Sequence, residues 1–349
     1  MKESKAIVRD IEANLSIEEK VRFLKEPQSY PNQKAKKVEA KETHMSWVFL
    51  VGDVAYKLKK PVVNFLFDFR ALDARLKNCQ EEVRLNMALA GEIYLGVEPI
   101  VINEMGKLQL AGRGKIVDWL VKMKRIPEMD LLDYAIVHNC IHEAKLRSVA
   151  RLLAEFYFTS SRALTHPSQH IEKLEAAIFF NYNQLSLPQF ELSHVLLDEL
   201  TAGQLAFLNA NNSLFSDRVR QNKIIEAHGD LRPEHICLGP SPVIIDRLEF
   251  NRELRIMDVA EELSFLSLEC EMMGNKGAGD LFWDEYVTIA NDSVPPALII
   301  FYKIKRACLR AYLVARHKEE TRYKNDPKWM SKAKSYLELA ETYHQRLLT

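Results

Sequence analysis

Three polar side chains follow short apolar runs in the segment KIIEAHGDLRPEHICLGPSPVIIDRLEF, at residues 223–250. Asp230 lies just past the first apolar run, His235 follows five positions later, and Asp246 ends the second run. Because both runs read as strands joined by a short Pro/Gly turn, we expect the three polar groups to gather at one place. Carboxylates and imidazole groups gathered in this way are typical of proton transfer and of metal binding.

Phosphoryl transfer asks for a set of groups that this chain contains. It needs a carboxylate near the incoming hydroxyl, metal ligands that bridge the phosphates, and a cation on the nucleotide. Asp230 can supply the first, His235 with Asp246 the second, and Lys57 the third. These residue types therefore favour a nucleotide-dependent transfer reaction.

The residues around Lys57 predict antiparallel strands. KKVEAKETH is followed by WVFLV and VAYKL, and Gly52-Asp53 separates the last two as a hairpin turn would. Residues 70–91 predict one long helix whose apolar face is formed by Leu72, Leu76, Cys79, Val83 and Met87. Further extended runs, VEPIVINE, KLQLAGR and KIVDWLVKMKR, complete a small strand-rich lobe.

Beyond Pro127 the pattern is mostly helical, as in LRSVARLLAEFYF and FYKIKRACLRAYLVAR. We therefore predict an N-terminal lobe at residues 1–123, with a helical preface at 1–30 in which Ser16 and Glu19 form a capping box. A mostly helical C-terminal lobe at 124–349 would contain the catalytic segment 224–262. The predicted fold class is α+β with two lobes.

Composition narrows the classes of partner. The 349 residues contain 48 Lys and Arg against 48 Asp and Glu, so the broad basic field of a nucleic-acid binder is lacking and a small-molecule ligand is favoured. The five cysteines are dispersed and form no CxxC pair, which is typical of reduced thiols. A charged start and the lack of a long apolar stretch indicate a soluble, cytoplasmic protein that is not bound to a membrane.

The segment HGDLRPEH followed by VIIDRLEF resembles the catalytic and metal-binding segments of the aminoglycoside phosphotransferase and choline-kinase-like branch of the protein-kinase fold. The upstream runs THMSWVFLVGDVAYKLKKP and CQEEVRLNMALA resemble a bacterial group of aminoglycoside-phosphotransferase-family enzymes. The resemblance covers residues 25 to 320, approximately. It implies a bilobal protein-kinase-like fold, with a small antiparallel-sheet N-lobe and a larger helical C-lobe.

The same resemblance implies roles for individual residues. Asp230 would be the catalytic carboxylate, Asp246 a metal ligand, Lys57 the phosphate-binding lysine and Glu82 its ion-pair partner. Strand alternation places Lys59 on the same face as Lys57, so the choice of Lys57 depends on the resemblance alone.

The resemblance also implies contacts to the nucleotide. The turn at residues 42–46 would cover the phosphates with Thr43 and Ser46, and the connector would present backbone groups of Met123 and Arg125 to adenine. Asp258 resembles the aspartate that braces the catalytic loop. Glu249, three residues after the predicted metal ligand, is near enough in sequence to reach the metal or the acceptor.

Two departures from the family pattern keep an alternative open. His235 stands where the family has Asn, although Mg²⁺ prefers oxygen ligands, and the phosphate-covering turn contains no glycine. From the resemblance we predict an ATP- and Mg²⁺-dependent phosphotransferase, with Mn²⁺ as a possible substitute, that acts on a small-molecule hydroxyl. The alternatives are a pseudokinase-like nucleotide-binding regulator, or transfer to a protein acceptor or of a nucleotidyl group. The sequence does not predict the acceptor or the oligomeric state.

Overall fold

The computed structural model describes residues 15–31, 33, 36–64, 66–320 and 326–348. Helix α1 spans Ile17–Leu24, and both hydrogen bonds of the predicted capping box are formed at its start. Ser16 Oγ accepts from the Glu19 N–H at 3.2 Å, and a Glu19 carboxylate oxygen accepts from the Ser16 N–H at 2.8 Å. The part of the predicted helical preface before residue 15 lies outside the described residues.

Contacts divide the chain into two units. The first unit runs to Leu131 and includes Val243–Arg252, and the second unit comprises Leu132–Pro242 and the chain from Glu253 onward. The segment with Asp246 therefore belongs to the first unit, whereas Asp230 belongs to the second. The lobe boundary predicted between residues 123 and 124 stays a prediction.

The first unit is built on an antiparallel sheet, as predicted. Among the described residues its six strands follow the order β1-β2-β3-β8-β6-β7. Their bounds are Glu39–Glu42 (β1), Ser46–Val51 (β2), Val54–Lys59 (β3), Tyr94–Ile102 (β6), Leu108–Leu110 (β7) and Lys115–Lys124 (β8). The short strands Val63–Asn64 (β4) and Phe67–Asp68 (β5) pair with each other. The β2–β3 turn takes Gly52 at φ 58°, a left-handed conformation that glycine adopts without steric cost.

The predicted long helix is present as α2, Leu72–Ala90. Its buried face differs from the predicted apolar stripe, because Met87 is 59% exposed whereas Glu82 and Asn86 are fully buried. Cys79 packs with residues of β6 and β8 and with the segment around strand β11, Val243–Ile244. This helix therefore presents polar groups to the interior of its unit.

The second unit is mostly helical, which agrees with the prediction. Its helices are Leu132–Val137 (α3), Glu143–Thr159 (α4), Pro167–Leu185 (α5), His194–Ala210 (α6), Asn212–Arg220 (α7), Val259–Met272 (α8), Lys276–Ala290 (α9), Pro296–Ala315 (α10) and Pro327–Leu348 (α11). Its strands are Ile224–Glu226 (β9), Ile236–Cys237 (β10) and Ile256–Asp258 (β12), and β9 pairs with β12 in antiparallel fashion.

Helix α8 forms the centre of the second unit, since residues 259–270 are all buried. Helix α9 approaches it closely at Gly279, where an added Cβ atom would lie 2.7 Å from the Ser267 Cα atom. Phe265 and Leu268 of α8 pack in one apolar cluster with residues of α10 and α11. Within the described residues, every helix is too short or too polar to cross a membrane.

Candidate functional site

Lys57 of the first unit lies between two carboxylates. Its Nζ atom is 2.9 Å from a Glu82 oxygen and 2.6 Å from an Asp246 oxygen. Strand β3 supplies the lysine, helix α2 supplies Glu82, and Asp246 lies two residues after the end of strand β11. The structure therefore brings together three residues that the sequence predicts to act together.

A second lysine completes this group. Lys59 Nζ forms ion pairs with the other Glu82 oxygen and with Glu249. We call Lys57, Lys59, Glu82, Asp246 and Glu249 the lysine cluster. The Lys59 side chain is 1% exposed and that of Glu82 is fully buried, whereas the Asp246 side chain is 38% exposed. Of the two lysines on this face of β3, Lys57 is the one that contacts the accessible aspartate.

The cluster holds three carboxylates and two ammonium groups. Burial by itself would lower the pKa of Lys57, but Asp246 and Glu82 outweigh it, and the pKa lies well above its usual range. Burial likewise opposes the charge of Glu82, but the two lysines lower its pKa. Burial raises the pKa of Glu249, and the neighbouring carboxylates add to that effect. The ammonium groups therefore stay protonated around an excess of carboxylates.

The turn predicted to cover the phosphates is closed by its own hydrogen bonds. The Ser46 N–H donates to Thr43 Oγ1 at 3.0 Å, and the Thr43 N–H donates to the Ser46 carbonyl at 2.8 Å. Lys60 Nζ donates to the Thr43 carbonyl at 2.6 Å, and the Ser46 residue is 1% exposed. These donors are used within the turn, and the predicted phosphate contacts of Thr43 and Ser46 stay predictions.

The residues predicted to face adenine lie at the end of strand β8. Met123 pairs with Ala55 on one side and with Tyr94 on the other. The Arg125 N–H donates to the Asp53 carbonyl at 2.8 Å. That amide is already bonded to the turn between β2 and β3, and the adenine contact of both residues stays a prediction.

Asp230 of the second unit lies beside an arginine. Arg232 approaches one Asp230 carboxylate oxygen, with its NH2 nitrogen at 3.1 Å, and also forms an ion pair with Glu234. Burial would raise the pKa of Asp230, but the charges of Arg232, His235 and Arg310 outweigh it, so that the pKa falls to about 2. The predicted catalytic carboxylate is therefore ionised at neutral pH.

A buried glutamate that the sequence analysis did not single out holds the start of this loop. The Glu262 carboxylate of helix α8 accepts from the His228 N–H at 3.0 Å and from the Gly229 N–H at 2.6 Å. The Tyr157 hydroxyl donates to the same carboxylate at 2.8 Å. We call residues 228–235 the Asp230 loop. Its main chain is fixed by a carboxylate that accepts from three donors.

Asp258, the predicted brace, is fully buried and lies at the start of helix α8. It accepts from the Arg218 guanidinium at 2.6 and 2.8 Å and from the Tyr302 hydroxyl at 3.1 Å. It also caps α8 by accepting from the Ala260 N–H at 2.9 Å. Asp258 thus joins helices α7, α8 and α10, one turn before Glu262.

His235 has protein atoms near both ring nitrogens. Nδ1 is 2.8 Å from the Asp230 carbonyl oxygen, and Nε2 is 3.4 Å from an Arg232 nitrogen. With the ring placed in this way, a metal ion at Nε2 would meet the positive guanidinium. Its predicted role as a metal ligand requires the ring or the arginine to move, and it stays a prediction.

Among the residues that the structure describes, no three His, Cys, Asp or Glu side chains are arranged as a ready-made metal site. A metal ion held by these side chains would need further ligands that the described part of the protein does not supply. Mg²⁺ is bound in this way when one or two carboxylates act together with substrate phosphates.

Comparison with solved structures identifies the fold. A choline kinase from Cryptosporidium parvum superposes with a TM-score of 0.54 at 10% sequence identity, covering 99% of this chain and 96% of that one. A choline/ethanolamine kinase family protein from Mesorhizobium loti gives a TM-score of 0.53 at 14% identity, with 93% of each chain covered. The choline kinase LicA from Streptococcus pneumoniae gives 0.52 at 15% identity, covering 94% of this chain and 99% of LicA.

The chain has a protein-kinase-like fold. The two-lobed α+β fold class is confirmed, and the resemblance to the choline-kinase-like branch is confirmed at the level of the fold. At these identities the likeness assigns no activity and no residue, so the roles of Asp230, Lys57, Glu82 and Asp246 stay predictions.

Sequence comparison finds relatives but no family model. Uncharacterized proteins of Mycobacterium bovis and Mycobacterium tuberculosis are 30% identical over 284 residues, which is 78% of this chain and 54% of each relative. The chain thus spans about half the length of the curated relatives it matches. No protein-family model matches the chain.

Proposed function

We propose that this chain is an ATP-dependent phosphotransferase that acts on a hydroxyl of a small molecule. The observation that carries the proposal is the contact of Lys57 with both Glu82 and Asp246, in a chain with a protein-kinase-like fold. A lysine paired with a helix glutamate beside a metal-binding aspartate is the arrangement that kinases use to hold ATP phosphates and metal.

Lys57 would bind the phosphates. The Lys57 side chain is 14% exposed and its ammonium group contacts the partly exposed Asp246, so a polyphosphate can compete for the ammonium group at that side. Glu82 keeps a second cation, Lys59, while Lys57 contacts the phosphates. The lysine can therefore exchange Asp246 for phosphate without leaving Glu82 unpaired.

Asp246 fits a magnesium ion, because it offers an accessible carboxylate and Mg²⁺ prefers oxygen ligands. Asp246 would hold the ion, which when bound would supply positive charge to offset the negative charge that develops on the phosphates during transfer. Lys57 holds the Asp246 carboxylate in place until then, and the Asp246 main chain is fixed separately by the Tyr94 hydroxyl, which accepts from its N–H at 3.1 Å.

Asp230 would orient the acceptor hydroxyl. With a pKa of about 2 its carboxylate is ionised and accepts a hydrogen bond from a hydroxyl at neutral pH. A group so acidic is a weak base, so it orients the hydroxyl before transfer and takes the proton only as the new bond forms. Arg232 shares the carboxylate and tunes its charge.

For the acceptor we propose only a broad chemical class. The kinases named above act, by their names, on choline and ethanolamine, which are small hydroxyl-bearing molecules. We infer from this that the acceptor of this chain carries a hydroxyl group, and we propose nothing further about its structure. Since the chain covers about half of its curated relatives, the activity of a longer protein is part of the proposal.

Turnover of ATP tests the proposal. Asp230→Asn removes the charge that orients the hydroxyl, and we expect phosphoryl transfer to fall by roughly 100-fold or more. Asp217→Asn, on an exposed aspartate of helix α7, is the matched control and should keep wild-type turnover. Phosphorus NMR of the products distinguishes phosphoryl from nucleotidyl transfer. Equal turnover in wild type and Asp230→Asn contradicts the proposal.

The second candidate is a nucleotide-binding regulator without turnover. The observations that favour it are the contact of Arg232 with Asp230 and the placement of both His235 ring nitrogens against protein atoms. A regulator would be stabilised by ATP, by about 2.7 kcal/mol at 100 times its Kd, without consuming it. Thermal unfolding with and without ATP, followed by the turnover assay across a panel of hydroxyl compounds, separates the two functions.

A further inference from the structure

Asp246 adopts a backbone conformation that needs support. Its φ angle is 62°, in the left-handed region that non-glycine residues adopt at a cost of roughly 1 kcal/mol. Strand β11 ends two residues earlier, so the regular pairing of a strand does not fix this position. Contacts made by Asp246 itself and by the residues after it must therefore hold the segment in place.

The main chain of this segment is tied to two elements of the first unit. The Asp246 N–H donates to the Tyr94 hydroxyl at 3.1 Å, and the Arg247 N–H donates to Asn86 Oδ1 at 2.9 Å. Asn86 Nδ2 in turn donates to the carbonyl of Glu82, one turn earlier on helix α2, at 2.8 Å. The segment is thus fixed next to the glutamate that pairs with Lys57.

The side chain of Glu249 adds an ionic link from the same segment to the same glutamate. Lys59 contacts Glu249 with its Nζ atom and also contacts Glu82. The side chains of Lys59, Glu82 and Glu249 are 1%, 0% and 7% exposed. Ion pairs that are buried to this degree are geometrically defined, and removing one partner leaves a buried charge.

A different role for Glu249 is direct metal binding, which its position three residues after Asp246 suggests. Its burial argues against that role, because only Asp246 of the two has a side chain exposed by more than a third. To reach a metal ion, Glu249 would have to leave Lys59, and the ammonium group would lose one of its two buried partners.

We propose that Lys59 and Glu249 are positioning residues, which clamp the segment at residues 246–249 to helix α2 so that Asp246 presents its carboxylate to metal. This inference rests on the proposed function. The Lys57–Asp246 contact exchanges when nucleotide and metal bind, whereas the Lys59–Glu249 contact stays.

Four variants of the full chain test the inference. Glu249→Ala removes the anchor, Glu249→Gln keeps an oxygen that accepts from Lys59, and Lys59→Met removes the cation. Lys122→Met, which breaks an ion pair with Glu98 on the neighbouring strand whose two side chains are 24% and 25% exposed, is the matched control for the lysine substitution. Calorimetry measures Mn²⁺ affinity in the presence of a non-hydrolysable ATP analogue, and affinity for the analogue without metal.

We expect Glu249→Ala and Lys59→Met to weaken Mn²⁺ binding by roughly 10- to 100-fold, the loss typical of residues that position a metal ligand. Glu249→Gln and Lys122→Met should stay near the wild type. Affinity for the analogue without metal should be the same in wild type and Glu249→Ala, which a general loss of structure would not allow. If Lys59→Met fails to fold, the two Glu249 variants still decide.

Equal losses in Glu249→Gln and Glu249→Ala would overturn the inference, because they would make Glu249 a metal ligand. Wild-type Mn²⁺ affinity in Glu249→Ala would overturn it as well. Both results leave the proposed function intact, since the wild type binds nucleotide and metal. A wild type that binds neither contradicts the proposed function itself, and this inference with it.

Discussion

The lysine cluster of the first unit and the Asp230 loop of the second unit fix charged groups in different ways. In the cluster, ion pairs between side chains fix the charged groups, and the pair of Lys57 with Asp246 lies at the exposed end. In the loop, the buried Glu262 holds the main chain through two N–H groups, and among the described residues only Arg232 lies within ion-pair distance of the Asp230 carboxylate.

The difference shows which contacts a bound ligand can replace. An ion pair with one exposed member separates when a competing charge arrives, because water and ligand can replace the lost contact. A buried carboxylate that satisfies two N–H groups cannot be replaced without leaving these donors unpaired. We therefore expect ligand to separate Lys57 from Asp246 and to leave the main chain of the Asp230 loop unchanged.

The largest expected effect comes from the ion pairs of Arg218, one of which joins it to Asp258 at the start of the helix that carries Glu262. Arg218 lies between Asp258 and Asp292, and all three side chains are at most 4% exposed. Arg218→Met leaves the buried Asp258 without its cation and leaves Asp292 with Lys223 alone, at 3.3 Å, so we expect the free energy of unfolding to fall by about 3–5 kcal/mol. Arg220→Met, two residues later with a 64% exposed side chain, is the control for urea denaturation. Equal stability of both variants would show that the buried network contributes nothing.

Glu262→Ala sharpens the comparison at the loop itself. It removes the acceptor of the His228 and Gly229 N–H groups, and each buried donor left unpaired costs about 1–3 kcal/mol. We expect the free energy of unfolding to fall by roughly 2–4 kcal/mol in urea denaturation. Glu262→Gln, which keeps one acceptor oxygen, should lose less, and the exposed Glu199→Ala should lose nothing measurable. An Ala variant as stable as the Gln variant would mean that the carboxylate does not hold the loop.

The charge on Asp230 gives a smaller effect that depends on pH. The pKa of Asp230 is lowered to about 2, with Arg232 as the largest cause of the lowering. Because the ionised carboxylate is the active form, turnover should show no loss from this group until the pH falls below about 3. Arg232→Met removes the cation, so the pKa rises and the acid limb of turnover moves up by roughly one pH unit or more. An unchanged limb in a pH–rate profile, with Arg220→Met as control, would contradict this assignment.

The sequence predicted the local elements well, because local patterns specify them. The hairpin at Gly52-Asp53, the long helix and the Ser16–Glu19 capping box are each determined by neighbouring residues, and each is confirmed. The buried face predicted for helix α2 was wrong at Met87, which is exposed. The spacing of apolar residues does not reveal that Glu82 and Asn86 are buried, because these two make polar contacts.

The missed residues are fixed by contacts that are distant in sequence. Lys59 meets Glu249 across 190 positions, and strand alternation alone could not distinguish it from Lys57. Glu262 lies on a helix that is buried all round, so neither spacing nor polarity marked it. The predicted Lys57–Glu82 contact depended on resemblance, which carries long-range information that a single sequence lacks.

The central claim is that the lysine cluster binds Mg·ATP through Lys57, and calorimetry with a non-hydrolysable ATP analogue and Mg²⁺ tests it most directly. We predict that the wild type binds, that Lys57→Met weakens binding roughly tenfold or more through the loss of a close charge contact, and that Asp230→Asn and Lys122→Met bind as the wild type does. Wild-type affinity in Lys57→Met, or no binding by the wild type, would contradict the claim.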